Sequence, residues 1–329
     1  MTAADIVPLW WQPSAWLTAA LASQPTPALF DLSNRTILVT GGARGLGLTI
    51  AHALVESGAD VIAFDLLEPV EPEWSAAQAA ATSAGVTLSF AQLDITNAEA
   101  VEAAVAASFG AARRPVRGMF HAAGVQLMRG ATEYTPAEFR RIVDIDLTGS
   151  YLMCAAFARN FFKENGDYAV GKRMGSVVMV ASMSGHVANA GLECAAYNAA
   201  KAGCIQLAKN LAMEWGGKGI RVNTLSPGYI RTKLTDDLLE QQPALAAIWL
   251  KGSLIGRLST PDEFRGPAVF LLSDASSFMT GSDQLRYAVR ASTRRPTRAS
   301  AAWQAQKRPK TFVILSIPRS HAPRLAVLL

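Results

Sequence analysis

From Thr36 onward the chain alternates two arrangements of apolar positions. Short unbroken runs rich in β-branched and aromatic residues read TILVT (36–40), DVIAF (60–64), VTLSFAQL (86–93), VRGMF (116–120), SVVMVAS (176–182) and IRVNTL (220–225). Between them lie longer Ala-rich stretches whose apolar residues recur at helical spacing, notably Leu46–Ser57, Ala98–Phe109 and Ala195–Trp215. A strand covered on both faces reads as a continuous apolar run, and its alternation with helices marks βαβ units. The expected fold is α/β: one doubly wound parallel sheet flanked by helices, with no shorter internal repeat.

Composition limits what this fold can belong to. The chain has 329 residues, half of them apolar, enough for one α/β domain of about 250 residues with a sizeable core. We divide it into an N-terminal arm (1–30), a folded unit (31–283) and a basic tail (284–329). The arm carries Trp10, Trp11 and Trp16 but no Lys or Arg before Arg35. It lacks the positive start of a secretory signal, and prolines interrupt any membrane span. We expect it to pack on the protein's own surface or on a neighbouring subunit. Cys154, Cys194 and Cys204 form no CxxC pair, and with the scattered histidines they offer no metal-ligand spacing. A reducing, cytoplasmic setting is expected, with no metal.

Charge sharpens the division. Ten of the 31 basic residues and none of the 26 acidic ones lie beyond Asp283, so residues 1–283 carry a formal charge of −5 while the whole chain carries +5. Basic runs are more often solvated segments than nucleic-acid ligands, and this one has no regular aromatic interleaving. Nucleic acid is therefore not an expected partner.

The chemistry lies upstream. The first strand runs into TGGARGLG (40–47) and then a helix. Glycines at Gly41, Gly45 and Gly47 let the backbone turn and approach a pyrophosphate, while the free N–H groups and dipole of the helix start, through Leu46, attract it. The context of strand, loop and helix makes the fold Rossmann-like. Asp65 ends the second strand, where a carboxylate can bind a ribose diol and repel a 2′-phosphate, favouring NAD. Arg44 pulls toward NADP, which stays possible. Ser182 closes the fifth strand. Further on, YNAAK (197–201) sets Tyr197 and Lys201 at i and i+4, on one helix face. An ammonium beside a phenol stabilises the phenolate and draws its pKa toward the working range.

These residues resemble the short-chain dehydrogenase/reductase family, in the branch combining a TGxxxGxG loop with a YxxxK pair; the resemblance spans Phe30 to Asp283. It implies catalytic roles for Ser182, Tyr197 and Lys201. It also implies cofactor contacts for Asp94 in LDI, for His121, Ala122 and Gly124 in HAAG, and for Ile230 and Thr232 in SPGYIRTKL. The stretches around SMSGHVANAGLECAAYNAAKAG and GRLSTPDEFRGPAVFLLSD are most similar to fungal polyol dehydrogenases and ketose reductases of the arabinitol, mannitol and sorbose type. His121 replaces the first Asn of the family's NNAG. Asp146 replaces the Asn that completes the family's catalytic tetrad through a water; a carboxylate accepts but cannot donate, and its charge raises the lysine's pKa. After TGSD the family's final strand and DGG turn are absent, and QLRYAVRAS follows instead. We expect a tail that is disordered or the product of a frameshifted or unspliced message.

The expected activity is NAD(P)-dependent interconversion of a secondary alcohol and a ketone, polyol- or ketose-like. A lid from Tyr229 to Arg257, with Leu238, Leu239, Trp249 and Leu254, should cover the substrate. Two alternatives use the same residues: a ketoreductase of secondary metabolism with a larger, greasier substrate, and a nucleotide-binding regulator without catalysis. The expected partners are a small-molecule alcohol or ketone and further copies of the chain, with no membrane.

Overall fold

A computed structural model describes residues 25–166, 174–189, 191–232, 235–236, 239–240 and 243–286. The tryptophans of the arm and the tail from Tyr287 lie outside these residues, as does Leu238.

The apolar runs become strands of one parallel sheet. β1 (Thr36–Thr40), β2 (Asp60–Asp65), β3 (Leu88–Gln92), β4 (Val116–His121), β5 (Gly175–Val180), β6 (Ile220–Pro227) and β7 (Asp283–Arg286) stand in the order β3-β2-β1-β4-β5-β6-β7. The order reverses between β1 and β4, which opens a crevice at the carboxyl ends of those strands. The helices are α1 (Gly45–Glu56), α2 (Glu73–Ser83), α3 (Ala98–Ala111), α4 (Pro136–Val143), α5 (Ser150–Asn165), α6 (Ala195–Trp215), α7 (Pro243–Gly252) and α8 (Arg265–Leu272).

Why the central strands read as unbroken apolar runs is visible in the core. Successive side chains point to opposite faces. Leu38, Met119, Val177 and Met179 enter a core with Phe157 and Phe161 of α5 and Ala208 of α6. Their neighbours Ile37, Val39, Phe120, Val178 and Val180 enter the opposite core, with Leu46 and Ile50 of α1 and Leu271 of α8. Helices cover both faces, so apolar residues fill both sides of the central strands.

Three features bear on the site. Between α4 and α5 the chain makes a π-helical turn, Asp144–Gly149, that carries Asp146 inward. Wider turns of this type collect at functional sites. Asp60, only 2% exposed, ties the start of β2 to its surroundings, accepting from Thr87 N at 2.8 Å and Arg113 at 2.8 Å. The third is a correction: the sheet does have a final strand. β7 pairs with β6 in parallel from Thr224↔Asp283 to Pro227↔Arg286. Its sequence, DQLR, shows no apolar run, and what holds it is the edge of β6 together with the Asp283 carboxylate. That carboxylate accepts from Thr224 Oγ1 at 2.5 Å, Ser226 Oγ at 2.7 Å and His186 Nε2 at 2.7 Å.

Candidate active site

The crevice beside β1 contains a cleft of about 640 Å³ bordered by Gly41, Arg44, Asp65, Asp94, Ala122 and Gly124. Gly41 has φ +68°, and a Cβ there would come within 2.9 Å of Ala123 N; a Cβ on Gly47 would collide with the Gly41 carbonyl. The backbone can fold this tightly only with glycine. α1 starts after Arg44 with no side chain capping it. Its first N–H groups are therefore left for an anion, to which Gly45 and Gly47 contribute backbone while the Leu46 side chain is buried in the core. Asp65 is fixed at the rim, accepting from Ala43 N at 3.2 Å and Leu67 N at 3.1 Å. An uncapped helix start, a glycine cradle and a carboxylate at the β2 end fit a dinucleotide.

His121 does not border this cleft. It is 1% exposed, and its two ring nitrogens join the sheet to the π-helical turn. Ala123 N donates to Thr40 Oγ1 at 3.2 Å, and Thr40 Oγ1 lies 2.8 Å from His121 Nδ1. His121 Nε2 lies 2.9 Å from Ser150 Oγ, which in turn donates to the Asp146 carbonyl at 2.6 Å. Counting donors assigns the proton to Nε2, since the Ser150 hydrogen is already used. Burial, and secondarily the Lys201 charge, lower this imidazole to about 3 and keep it neutral. The ring braces the sheet and the main chain that carries Asp146, and it does not border the cleft, where the resemblance also implies a cofactor contact.

Tyr197 and Lys201 project from α6 with the ammonium 5.5 Å from the phenol ring centre. Lys201 is 1% exposed and donates to the Val180 carbonyl at the end of β5, at 3.1 Å. Asp146 faces it. One carboxylate oxygen accepts from Val125 N at 2.7 Å; the other has no hydrogen bond among the described residues and lies 3.9 Å from Lys201 Nζ. Burial raises Asp146 to about 6, against the pull of Lys201. Lys201 itself is raised: burial lowers it, but the charges of Asp146 and Tyr197 outweigh that. Tyr197 is corrected in direction. Burial pushes the phenol up, Lys201 pulls it down, Asp146 pushes it up again, and the neighbouring Ser182 hydroxyl lowers it; the net shift is upward. The cation alone does not bring this phenol into the neutral range, because burial, and after it the carboxylate behind, work in the opposite sense.

Ser182 and Tyr197 open together onto a second cavity, of about 80 Å³, walled in part by Leu192, Tyr229, Ile230 and Trp249. It adjoins the first: Val125 borders the cleft and the next residue, Gln126, borders this cavity.

Residues 41–285 match the family model described as enoyl-(acyl carrier protein) reductase. The chain is 44% identical over 260 residues to the short chain dehydrogenases/reductase notP' of Aspergillus versicolor, covering 78% of this chain and 86% of that one. It is 35% identical to the NADP-dependent mannitol dehydrogenase of Hypocrea jecorina, over 79% of this chain and 96% of the relative. The crystal structure of gox2181 superposes with a TM-score of 0.71 at 36% identity, covering 79% of this chain and 96% of that one. The chain belongs to the short-chain dehydrogenase/reductase family.

Within this short-chain dehydrogenase/reductase the expected site residues divide between the two cavities and the buried layer behind them. Gly41, Arg44, Asp65, Asp94, Ala122 and Gly124 gather at the cleft. Ser182, Tyr197, Ile230 and Thr232 gather at the second cavity. Asp146 and Lys201 lie buried behind Tyr197, and His121 lies behind the cleft. Of the expected lid, Trp249 closes the cavity by stacking on Tyr229, with ring centres 4.3 Å apart and planes at 10°. Leu254 does not take part; it is 62% exposed on the turn after α7. Asn189 and Gln126 border the cavity and were missed. Asn189 stands within SMSGHVANAG, whose loop between strand and helix was the available signal. No helix among the described residues is long and apolar enough to cross a membrane, and none of their His, Cys, Asp and Glu side chains group as a metal site.

Proposed function

We propose that the protein is an NAD(P)-dependent oxidoreductase that interconverts a secondary alcohol and its ketone, with polyol- or ketose-like substrates. The observation that carries this reading is the shared opening of Ser182 and Tyr197 onto a cavity adjoining the dinucleotide cleft. A nicotinamide held there supplies or accepts the hydride. The protein's own residues do the rest. Ser182 holds the substrate oxygen by its hydroxyl, and Tyr197 Oη gives that oxygen a proton in reduction and takes it back in oxidation. Lys201 stabilises the phenolate left behind. Gly41, the start of α1 and Asp94 would hold the nucleotide, while Ile230 and Thr232 face it from the substrate side.

Asp65 supports NAD over NADP, since a 2′-phosphate beside its carboxylate meets repulsion; Arg44 opposes this only in part. The small cavity supports a small substrate over the larger, greasier ketone of a secondary-metabolite reductase. Free, buried Cys154, Cys194 and Cys204 support a reducing, cytoplasmic setting. Phe139, Tyr151 and Met213, 40%, 48% and 75% exposed on α4, α5 and α6, support a homo-oligomer.

The test is nicotinamide absorbance with polyols, ketoses and simple ketones, using NAD and NADP in parallel. We expect turnover with a higher kcat/KM for NAD, and a loss of about 100-fold or more in kcat for Tyr197→Phe. Nucleotide binding without turnover on any of these substrates would instead support a non-catalytic nucleotide-binding protein.

A further inference from the structure

Three polar atoms of the substrate cavity are buried and unpaired. Neither Nδ2 nor Oδ1 of Asn189, nor the indole Nε1 of Trp249, has a hydrogen-bond partner among the described residues. Both side chains border the cavity that Ser182 and Tyr197 open onto. Buried polar groups are nearly always paired, and exceptions call for an explanation. Two other polar groups of the cavity wall are engaged. Ser182 Oγ accepts from Ser184 N at 3.1 Å, and Thr235 Oγ1 donates to the Ile230 carbonyl at 2.8 Å.

Neither group is free to turn away. Trp249 is 3% exposed and held flat against Tyr229 by the ring stack. The Asn189 carbonyl accepts from Leu192 N at 3.1 Å, which fixes the loop that carries the amide. The amide lies beside the Tyr229 hydroxyl and draws that phenol's pKa down against the burial that pushes it up to about 12. Neither end of the amide meets hydrogen-bond geometry with a partner among the described residues. Leu192, Met183 and Ile230 form apolar parts of the surrounding wall.

We propose that Asn189 and Trp249 together bind a hydroxyl group of the substrate away from the reacting carbon, so that the substrates are hydroxyketones and the corresponding diols or polyols, not plain ketones. A hydroxyl both donates and accepts. It can give its hydrogen to Asn189 Oδ1 and take one from Trp249 Nε1, which a methyl group or an ether oxygen cannot do. A site built to hydrogen-bond a substrate hydroxyl rejects the analogue that lacks it, because its own buried groups are then left unpaired. This inference rests on the oxidoreductase reading above and specifies the substrate class of the same site.

The experiment compares 2-hexanone with its monohydroxy derivatives, the hydroxyl placed at each carbon in turn, for the wild type, Trp249→Phe and Asn189→Leu. Trp249→Phe removes the N–H and keeps the stacked ring, so it separates recognition from folding; circular dichroism and nucleotide affinity check that each variant is intact. We expect one hydroxyl position to raise wild-type kcat/KM over 2-hexanone by about tenfold or more. In each variant that preference should collapse, the ratio of hydroxyketone to 2-hexanone kcat/KM falling toward one whatever happens to the absolute rates. Equal wild-type kcat/KM for every ketone, or variants that lower all ketones alike, would overturn the hydroxyl site and leave the oxidoreductase reading standing. No turnover of any ketone by the wild type would overturn both.

Discussion

At the scale of single residues, the unusual feature is Asp146. Its carboxylate sits behind Lys201 with one oxygen that has no hydrogen bond among the described residues, and its charge opposes the effect Lys201 has on Tyr197. In the oxidative direction Tyr197 must act as phenolate, so the rate follows the phenolate fraction. Asp146 raises the Tyr197 pKa; Asp146→Asn removes that repulsion, lowers the pKa and moves the rising limb of the pH–rate profile to lower pH. Above the pH where Asp146 titrates, about 6, the variant should oxidise alcohols faster than the wild type. Below that pH the wild-type carboxyl is neutral as well, and the two profiles should converge. Stopped-flow rates of alcohol oxidation across this range check the sign, and a profile unmoved by Asp146→Asn would mean the carboxylate is not felt at the phenol. His121 is the structural counterpart. Its bonds to Thr40 and Ser150 set the main chain that aims Asp146, so His121→Leu should lower stability before it alters any titration.

At the scale of elements, what could be read from the chain depended on how local the cause was. β1, β2, β4, β5 and β6 were legible because helices cover both faces, which writes the strand into its own residues. β3, at the sheet edge, is more exposed, and the expected run of 86–93 shrinks to Leu88–Gln92. The Tyr197–Lys201 pair was legible since one helical turn fixes it. β7 was not, because DQLR is placed by the β6 edge and by partners distant in the chain. Asn189 escaped for the same reason, and Trp249 was legible only as an apolar lid residue, since an indole reads as apolar until the fold leaves its N–H without a partner among the described residues. The β7 case can be measured. Asp283→Ala removes the acceptor for Thr224, Ser226 and His186 and should lower unfolding stability by about 2–3 kcal/mol, seen as a lower urea midpoint. It should also weaken substrate binding, since His186 follows directly on the turn Met183–Gly185 that borders the cavity. An unchanged midpoint would mean that backbone pairing alone holds the edge.

At the scale of the whole molecule, charge and chemistry occupy different parts of the chain. Every residue bordering the two cavities lies at or before Trp249, whereas the basic excess lies beyond Asp283. Net charge governs association and solubility more than fold. Truncation after Arg286 keeps all of β7 and removes nine basic residues and no acidic ones, turning the formal charge from +5 to −4. The truncated protein should keep kcat/KM within about twofold while its binding at neutral pH shifts from cation- to anion-exchange resin. Any affinity of the full chain for DNA should fall steeply with salt and vanish on truncation, as expected of phosphate contacts made by the tail alone. Truncation after Ser282 differs by only four strand residues, yet it uncovers the β6 edge and removes the Asp283 carboxylate; it should lose stability and aggregate, because an unpaired strand edge templates further pairing. Comparing the two truncations by melting temperature and turnover separates a tail that merely carries charge from a strand that closes the sheet. Loss of turnover on removing residues 287–329 would place part of the working site in the tail and contradict the division drawn here.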